Sequence, residues 1–415
     1  MKTRKLLVLL LTLPLLVYCG KNDPVDDPGD GKEQDQGQGQ GTVDPPVDDP
    51  FADAAQEVKN GDLILVTNEK MQAFLEDVKY TERDYSKTYI LDPKYGPTAP
   101  GNSDKPQEYS IRWTKADAEG EKTVKLWEDD GWSREMTVES GEYYVNIINL
   151  RPNAHYHYEV KGAGGKMVTS GEFNTRGLVY QVLFKANVRN ARDLGGWKTK
   201  DGKKMVKYRM VYRGGRLQAS TLTSKRGKED LKAQGILAQL DLRGHTSSGA
   251  QEYLNREDSP LEKMWGNDFA FCAPCIEKGY TQMLKSDGAK VKQCFEFVAA
   301  CVKANKPVYY HCSLGRDRTG TLSMLLLGVL GVDEGDISKE YELTQFAPFE
   351  WATSTGESTK MTRLVDYKGA ANYIWNSFVG EGESFAQGVE KYLLSIGVSQ
   401  AVIDEFRSQM LVPVN

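Results

Sequence analysis

The chain has 415 residues, more than one ordinary domain needs, so two or three folded units are expected. Its apolar share of 40% and charged share of 27% are those of a globular protein. A formal net charge of −5 supplies no broad basic field of the kind a nucleic-acid backbone binder carries, so no nucleic-acid partner is expected. The first residues read as an export signal. Lys2, Arg4 and Lys5 form a positive start, and Leu6 to Val17 is an apolar run of about twelve residues, short of the ~20 that span a bilayer.

That run ends at Cys19, and Leu16-Val17-Tyr18-Cys19 resembles a bacterial lipoprotein processing site, although Tyr18 stands where such sites carry a small residue. The resemblance implies a signal peptide over 1–19 with Cys19 as the lipidated residue. Residues 20–50 are rich in Gly, Asp, Pro and Gln, with Gln and Gly alternating from Gln36 to Gly41. Such a composition cannot bury enough apolar surface to offset chain entropy, so an acidic disordered tether is expected. Together they imply an exported protein, lipid-anchored in the cell envelope at the outer membrane or surface of a Gram-negative bacterium. It would meet the membrane only through Cys19.

Residues 51–177 read as an all-β sandwich. Apolar residues alternate at Tyr109, Ile111 and Trp113, at Val124 and Leu126, at Tyr143, Val145 and Ile147, and at Tyr156, Tyr158 and Val160. Glu69 to Val78 has the pattern of a short helix. Leu150-Arg-Pro-Asn-Ala-His-Tyr156, followed by Tyr158-Glu-Val160 and Phe173-Asn-Thr175, resembles the last strands of a fibronectin type III domain, with the Leu-x-Pro spacing as its corner device. No catalytic cluster is visible there. His155 and His157 alternate on a strand and read as surface residues rather than metal ligands. The binding partner of the sandwich is not specified by its sequence.

From 178 to 415 the pattern is α/β, a mostly parallel sheet flanked by helices. Short strands are predicted at Val206 and at Val211 to Arg213, around an Asp201-Gly202 turn. A helix over Lys225 to Gln234 closes at Gly235. A buried strand follows over Ile236 to Leu242, then an amphipathic helix over Ala289 to Ala304. Val308 to Tyr310 forms a strand, and Thr321 to Leu330 an apolar helix. Cysteines 272, 275, 294, 301 and 312 all fall in this half. Cys294 and Cys301 lie roughly 10 Å apart along a helix, too far to bridge. Cys272-Ala-Pro-Cys275 lacks a second pair or a nearby histidine and reads as packed thiols.

Between the last strand and helix stands His311-Cys312-Ser313-Leu314-Gly315-Arg316-Asp317-Arg318-Thr319-Gly320, a Cys-x5-Arg loop. A strand, a tight turn and a helix start can wrap backbone N–H groups around three phosphate oxygens, with the helix dipole adding to the field. The same field favours a Cys312 thiolate, the nucleophilic form. Arg318 offers a planar fork to two phosphoryl oxygens. Ser313, Leu314, Gly315, Arg316 and Thr319 would line the substrate, Gly315 allowing the tight turn and Thr319 meeting the sulfur. His311 would buttress the loop.

This decamer resembles the protein tyrosine phosphatase superfamily. Asn190-Ala-Arg-Asp-Leu-Gly-Gly196, Val211-Tyr-Arg-Gly-Gly215 and Leu240-Asp-Leu-Arg243 narrow the likeness to the atypical bacterial tyrosine phosphatases. Gly214 departs from that family, which carries serine there, and so does Arg316, where many relatives have lysine. Ile337 to Phe346 and Val389 to Leu411 look like its C-terminal helices, with an unmatched insert near 350–380. The resemblance implies a phosphomonoesterase acting on phosphoprotein or small phosphorylated substrates, chiefly phosphotyrosine with possible dual specificity. It implies Asp317 as the general acid, with Asp241 as runner-up, and His311, Asp241 and Arg243 as supporting residues. No cofactor and no metal are expected, because the loop and Arg318 supply the charge. A phosphatase for inositol phosphates or phosphoinositides is the rival on the same fold, since Arg316 adds a cation suited to a polyanion. A surface adhesion lipoprotein with a vestigial phosphatase domain is the rival of another class. Since every signature residue lies after 178, a fragment starting there is expected to fold alone.

Overall fold

A computed structural model describes residues 53–77, 104–182, 188–216, 233–243, 269–347 and 356–414. The expected signal peptide, Cys19, the tether and most of the Lys225–Gln234 helix lie outside these residues. No helix among the described residues is long and apolar enough to cross a membrane.

Two sheets face each other over the first half. One contains β1 (Gln56–Glu57), β3 (Tyr109–Arg112) and β6 (Tyr144–Ile147), in the order β1-β3-β6. The other contains β2 (Leu63–Leu65), β4 (Lys122–Glu128), β5 (Ser133–Val138), β7 (His155–Lys161) and β8 (Met167–Arg176), in the order β2-β8-β7-β4-β5. Strand alternation sends one face of each inward. Ile111, Val124, Leu126, Ile147, Tyr156, Val160 and Phe173 are all at most 1% exposed and share one core. Tyr156 and Phe173 stack with centroids 5.3 Å apart.

One helix leaves this arrangement. α1 (Glu69–Asp77) follows β2, but Met71, Phe74 and Leu75 are buried in the core of the second half, with Phe74 edge-on to Phe346 at 5.6 Å. Leu178 N donates to Gln72 Oε1 at 3.2 Å, and Thr67 Oγ1 to Val179 O at 3.0 Å. The sequence boundary at 178 separates the sandwich strands from the α/β sheet but cuts across this packing. A short amphipathic helix shows which of its faces is buried, not which neighbour covers it.

The second half is built on a sheet of β9 (Arg192–Asp193), β11 (Val211–Gly214), β12 (Ala238–Asp241), β13 (Ala270–Cys272) and β14 (Val308–His311), in the order β13-β12-β14-β11-β9. All pairings are parallel except β11 with β9. A separate antiparallel pair joins β10 (Lys204–Val206) to β15 (Leu411–Pro413). Residues on the sheet alternate between two cores. Val211, Ala238, Leu240, Val308 and Tyr310 face the large helical core. Tyr212 and Tyr309 face a smaller one with Tyr180, Val188 and Tyr208.

The helices are α2 (Tyr280–Ser286), α3 (Gly288–Lys303), α4 (Asp317–Val329), α5 (Glu334–Glu342), α6 (Gly356–Phe378), α7 (Phe385–Ser395) and α8 (Gln400–Met410). α4 is buried along nearly its whole length, which its all-round apolar sequence requires. The unmatched insert near 350–380 contains α6. Central β14 runs straight into the signature loop, and α4 runs out of it.

The two halves meet at a polar seam. The Arg209 guanidinium pairs with Glu128 and lies over the Trp132 ring at 4.2 Å. Arg151 holds the same carboxylate, Nε at 2.8 Å. Trp132 Nε1 donates to Ala233 O at 3.0 Å, and Tyr180 Oη to Asn149 O at 2.9 Å. Arg209 has φ of 61°, a left-handed conformation disfavoured for arginine, and its amide donates to Asp193 Oδ2 at 2.5 Å.

Candidate active site

The signature folds as its residue types require. β14 delivers His311, five loop residues turn, and α4 starts at Asp317, so the first amides of the helix border the loop. Gly315 has φ of 69°, and a Cβ there would lie 2.3 Å from the Gly214 carbonyl carbon. Gly214, the departure from serine, has its own cause. A Cβ there would meet the Tyr309 hydroxyl at 2.2 Å, and that hydroxyl donates to Gly215 O at 2.6 Å. Tyrosine on the neighbouring strand occupies the space a serine side chain would take.

Cys312 is 3% exposed. Burial pushes its thiol up and Asp317 adds to that. The Arg318 guanidinium and the hydroxyl and amide of Thr319 pull it down further, so the net shift is below the ordinary thiol value. Arg318 Nη1 donates to Ile276 O at 2.8 Å, which ties one edge of its fork to the loop after β13. Ser313 and Leu314 are exposed on the loop, while Gly315 and Thr319 are buried within it.

His311 is fully buried and burial lowers it to about 4, so it is neutral. Gln239 Nε2 lies 2.7 Å from His311 Nε2, and His311 Nδ1 lies 3.1 Å from Cys312 O. With the amide as donor to Nε2, the ring proton sits on Nδ1 and is donated to the carbonyl of the nucleophile. His311 thus contacts the loop at the nucleophile's own carbonyl.

Asp241 sits deeper than Asp317. Its carboxylate is fully buried and held by Arg243, through Nε at 3.0 Å and Nη2 at 2.9 Å. Burial pushes it up, but His311 and Arg243 bring it below the usual carboxylate range. A carboxylate at the end of a buried strand, paired with an arginine two residues on, braces the strand end, and this engagement weighs toward Asp317 rather than Asp241 as the acid.

Asp317 is placed differently. Its side chain is 27% exposed at the loop edge. Oδ1 accepts from Arg316 Nε at 2.7 Å and from the Tyr280 hydroxyl at 2.5 Å, while Oδ2 meets Arg316 Nη2 at 3.5 Å. Tyr280 Oη in turn lies 2.6 Å from Tyr341 Oη. Arg316, expected to line the substrate, is 5% exposed and committed to Asp317. Adjacency along the chain favours this pair, since Nε reaches the next residue's carboxylate without strain.

Several residues that hold the site had no role assigned to them from the sequence. Asn190 Nδ2 donates to Gly315 O at 2.9 Å and Leu314 O at 3.3 Å. Its own Oδ1 accepts from Arg192. Glu340, on α5, binds Arg192 Nε at 2.9 Å and Arg213 Nη1 at 2.9 Å, all three buried. A chain of ion pairs and hydrogen bonds thus runs from Arg213 through Glu340 and Arg192 to the loop carbonyls. Asn190 and Arg192 stand in a motif recognised by resemblance, but no spacing links them to Glu340 nearly 150 residues later. Tyr280 and Gln239 were equally silent. Cys272, Cys294 and Cys301 carry free thiols, the last two buried.

Comparison with known proteins fits this geometry. A sequence model described as the tyrosine phosphatase family matches residues 185–412, over half of the chain. A Cupriavidus necator protein whose name places it among tyrosine-protein phosphatases is 29% identical over 176 residues, 37% of this chain and 59% of that protein. The tyrosine-protein phosphatase of Nostoc commune is 28% identical over 128 residues, 28% of this chain and 43% of that one. The chain thus spans about half the length of the curated relatives it matches. Among solved structures, TpbA of P. aeruginosa has a TM-score of 0.26 at 14% identity, covering 46% of this chain and 90% of its own. The core catalytic domain of the PP-IP phosphatase SIW14 of S. cerevisiae has a TM-score of 0.24 at 18% identity, covering 38% and 88%.

Proposed function

The chain belongs to the tyrosine phosphatase family, and we propose that it is an exported cysteine-dependent phosphomonoesterase, acting chiefly on phosphotyrosine with dual specificity toward phosphoserine and phosphothreonine. The observation that carries the reading is Cys312, nearly enclosed between β14 and α4 and shifted toward the thiolate by Arg318 and Thr319. In the first step Cys312 Sγ attacks phosphorus and the bond to the leaving oxygen breaks. Asp317 gives that oxygen its proton, with Oδ2 as the atom less engaged by its neighbours. Arg318 and the loop amides stabilise the three peripheral oxygens. Water then cleaves the phosphocysteine, releasing phosphate and the thiolate.

The inositol-phosphate alternative rested on Arg316 as a second cation for a polyanion. The ion pair with Asp317 and the burial of Arg316 weigh toward a phosphomonoester with one dianionic head. The sandwich supports a fibronectin type III-like reading through its strand order and through Tyr156 Oη, which accepts from Arg151 N at 2.7 Å. Anchorage at Cys19 in the cell envelope completes the proposal and rests on the sequence of the first fifty residues. Incorporation of labelled fatty acid into the chain, lost in Cys19→Ala, tests that part.

The decisive test of the activity is Cys312→Ser on a phosphotyrosine peptide. Serine is nearly isosteric but does not ionise near neutral pH. Turnover should fall by at least ~10⁴-fold, as expected when a covalent nucleophile is removed, while phosphate binding and the melting temperature persist. Full activity in that variant would place the nucleophile elsewhere. A parallel set of phosphoserine peptide and inositol polyphosphate ranks the substrate classes.

A further inference from the structure

We propose that the outer face of the sandwich carries a zinc site formed by Asp129, His155 and His157. The chain has only four histidines, and two of them stand on β7 at positions 155 and 157. Strand alternation puts both on the face opposite the buried Tyr156 and Tyr158. Asp129, in the turn after β4, reaches the same place. One ligand atom from each of the three residues lies within 4.8 Å of the others. Zinc bonds of 2.0–2.1 Å to nitrogen and oxygen set tetrahedral ligands about 3.3–3.4 Å apart, so small side-chain movements suffice.

The surroundings are those of a metal-bound imidazole pair. His155 Nδ1 lies 3.0 Å from Asn174 Oδ1, a hydrogen bond that leaves Nε2 with its lone pair. His157 Nε2 lies 2.8 Å from Asp129 Oδ1, and Glu172 Oε2 lies 3.6 Å from both His157 Nδ1 and His155 Nε2, beside the proposed ion. Zinc entering between Asp129 and His157 leaves the ring proton of His157 on Nδ1, on the side of the Glu172 carboxylate. His155 keeps its N–H on Asn174 Oδ1, and a small movement of Glu172 would give His157 the same support, the arrangement that fixes tautomer and orientation at zinc sites.

The positions are set by strand register: His155 faces Asn174 and His157 faces Glu172 across the β7–β8 ladder. His157 also stacks on Trp127 at 5.3 Å, and the two histidine rings meet edge-on at 4.6 Å. Two imidazoles and a carboxylate, with a fourth position facing solvent, suit zinc better than calcium or magnesium, which take oxygen ligands. The site is remote in sequence from the signature loop and takes no part in the phosphoryl step. Its neighbours Glu128 and Asp130 bind Arg209 and Arg151 at the seam, so an ion at Asp129 would also brace that turn.

The test is a zinc titration of the full chain carrying Cys312→Ser, which removes the reactive thiolate as a competing ligand. Binding is read by competition with a chromophoric chelator near neutral pH. One zinc per chain is expected. His155→Ala with His157→Ala should weaken it by at least tenfold, and Asp129→Asn, a change on an exposed turn, should weaken it as well. Melting curves in EDTA establish that each variant is folded. Asn174→Ala should give a smaller loss. A parent chain that takes up no zinc overturns the proposal. So does an affinity unchanged in both the histidine and Asp129 variants, which would assign the ion to other donors such as Cys272 and Cys275.

Discussion

The signature loop and the seam between the two halves are both dense in arginine and carboxylate, yet they are built in opposite ways. The loop draws its chemistry from consecutive residues, His311 to Thr319, between one strand and one helix. The seam draws Glu128 and Trp132 from one hairpin and Arg151, Tyr180 and Arg209 from three further places in the chain. Consecutive residues place the reacting groups by local geometry, and residues such as Asn190 and Gln239 brace them from outside. Scattered ones make a structure that exists only when both halves are present. The difference leads us to expect that function and stability can be disturbed separately.

The largest effect should come from cutting the seam away. A fragment starting at 178 keeps the whole signature but loses α1, whose Met71, Phe74 and Leu75 are each at most 3% exposed. Burying three such side chains contributes on the order of 5 kcal/mol, comparable to the net stability of a typical domain. Arg209 would also lose Glu128 and Trp132. We expect this fragment to aggregate or melt far below the parent, and a fragment starting before β1 at 53 to behave as the parent does. Fully active, monomeric 178–415 protein with an unchanged melting temperature would remove the seam from the stability argument.

Next in size is Asp317→Asn, which acts on the loop alone. General acid catalysis is worth roughly 10²–10⁴-fold. A serine alkoxide needs a proton as it departs and should show a loss of that order, whereas an activated aryl oxide should show little. The basic limb of the pH–rate profile should flatten. Equal losses on both substrates would mean that Asp317 serves only to hold Arg316, as its 2.7 Å contact with Nε would also permit.

Glu128→Gln is the converse experiment. It removes the charge shared by Arg151 and Arg209 while keeping the shape. Breaking a buried pair typically costs about 3–5 kcal/mol, and the retained hydrogen bonds should bring the loss toward the lower end. The melting temperature should fall with turnover per folded molecule within twofold of the parent. A fall in turnover without a fall in melting temperature would mean that the seam feeds into the site, through Asp193 or Tyr180.

The contrast also explains what could be read from the sequence. The loop, its strand and helix, and the inward residues of the sandwich follow from local periodicity and from a contiguous motif. Gly315 was legible because a tight turn needs it; the reason for Gly214 was not, because it lies in Tyr309 on another strand. Asp241 and Asp317 both stood near arginines in the sequence. Only burial separates them: one is sealed beneath the loop and the other lies at its edge. Glu340 and Asn190 support the loop through contacts between distant segments, and no periodicity encodes such contacts. His155 and His157 were legible as surface residues, but their neighbours Asp129 and Glu172 are brought to them by strand pairing.

The smallest expected effect tests whether the loop really depends only on its own residues. Tyr280 lies outside the signature, at the start of α2, with φ of 59°. Its hydroxyl donates to Asp317 Oδ1 at 2.5 Å and neighbours Tyr341 Oη at 2.6 Å. Burial, then Tyr341 and Asp317, push this hydroxyl well above its ordinary value, so it stays protonated and remains a donor. Tyr280→Phe keeps the ring and its packing and removes one hydrogen bond, worth about 1 kcal/mol. If the bond orients the acid, an alkyl phosphate should turn over roughly fivefold more slowly, with almost no change on an activated aryl phosphate. In combination with Asp317→Asn the loss should not grow, because both changes act on the same proton transfer. Losses that multiply in the double variant would separate Tyr280 from the acid. They would also leave Arg316, within the loop, as the neighbour that orients Asp317.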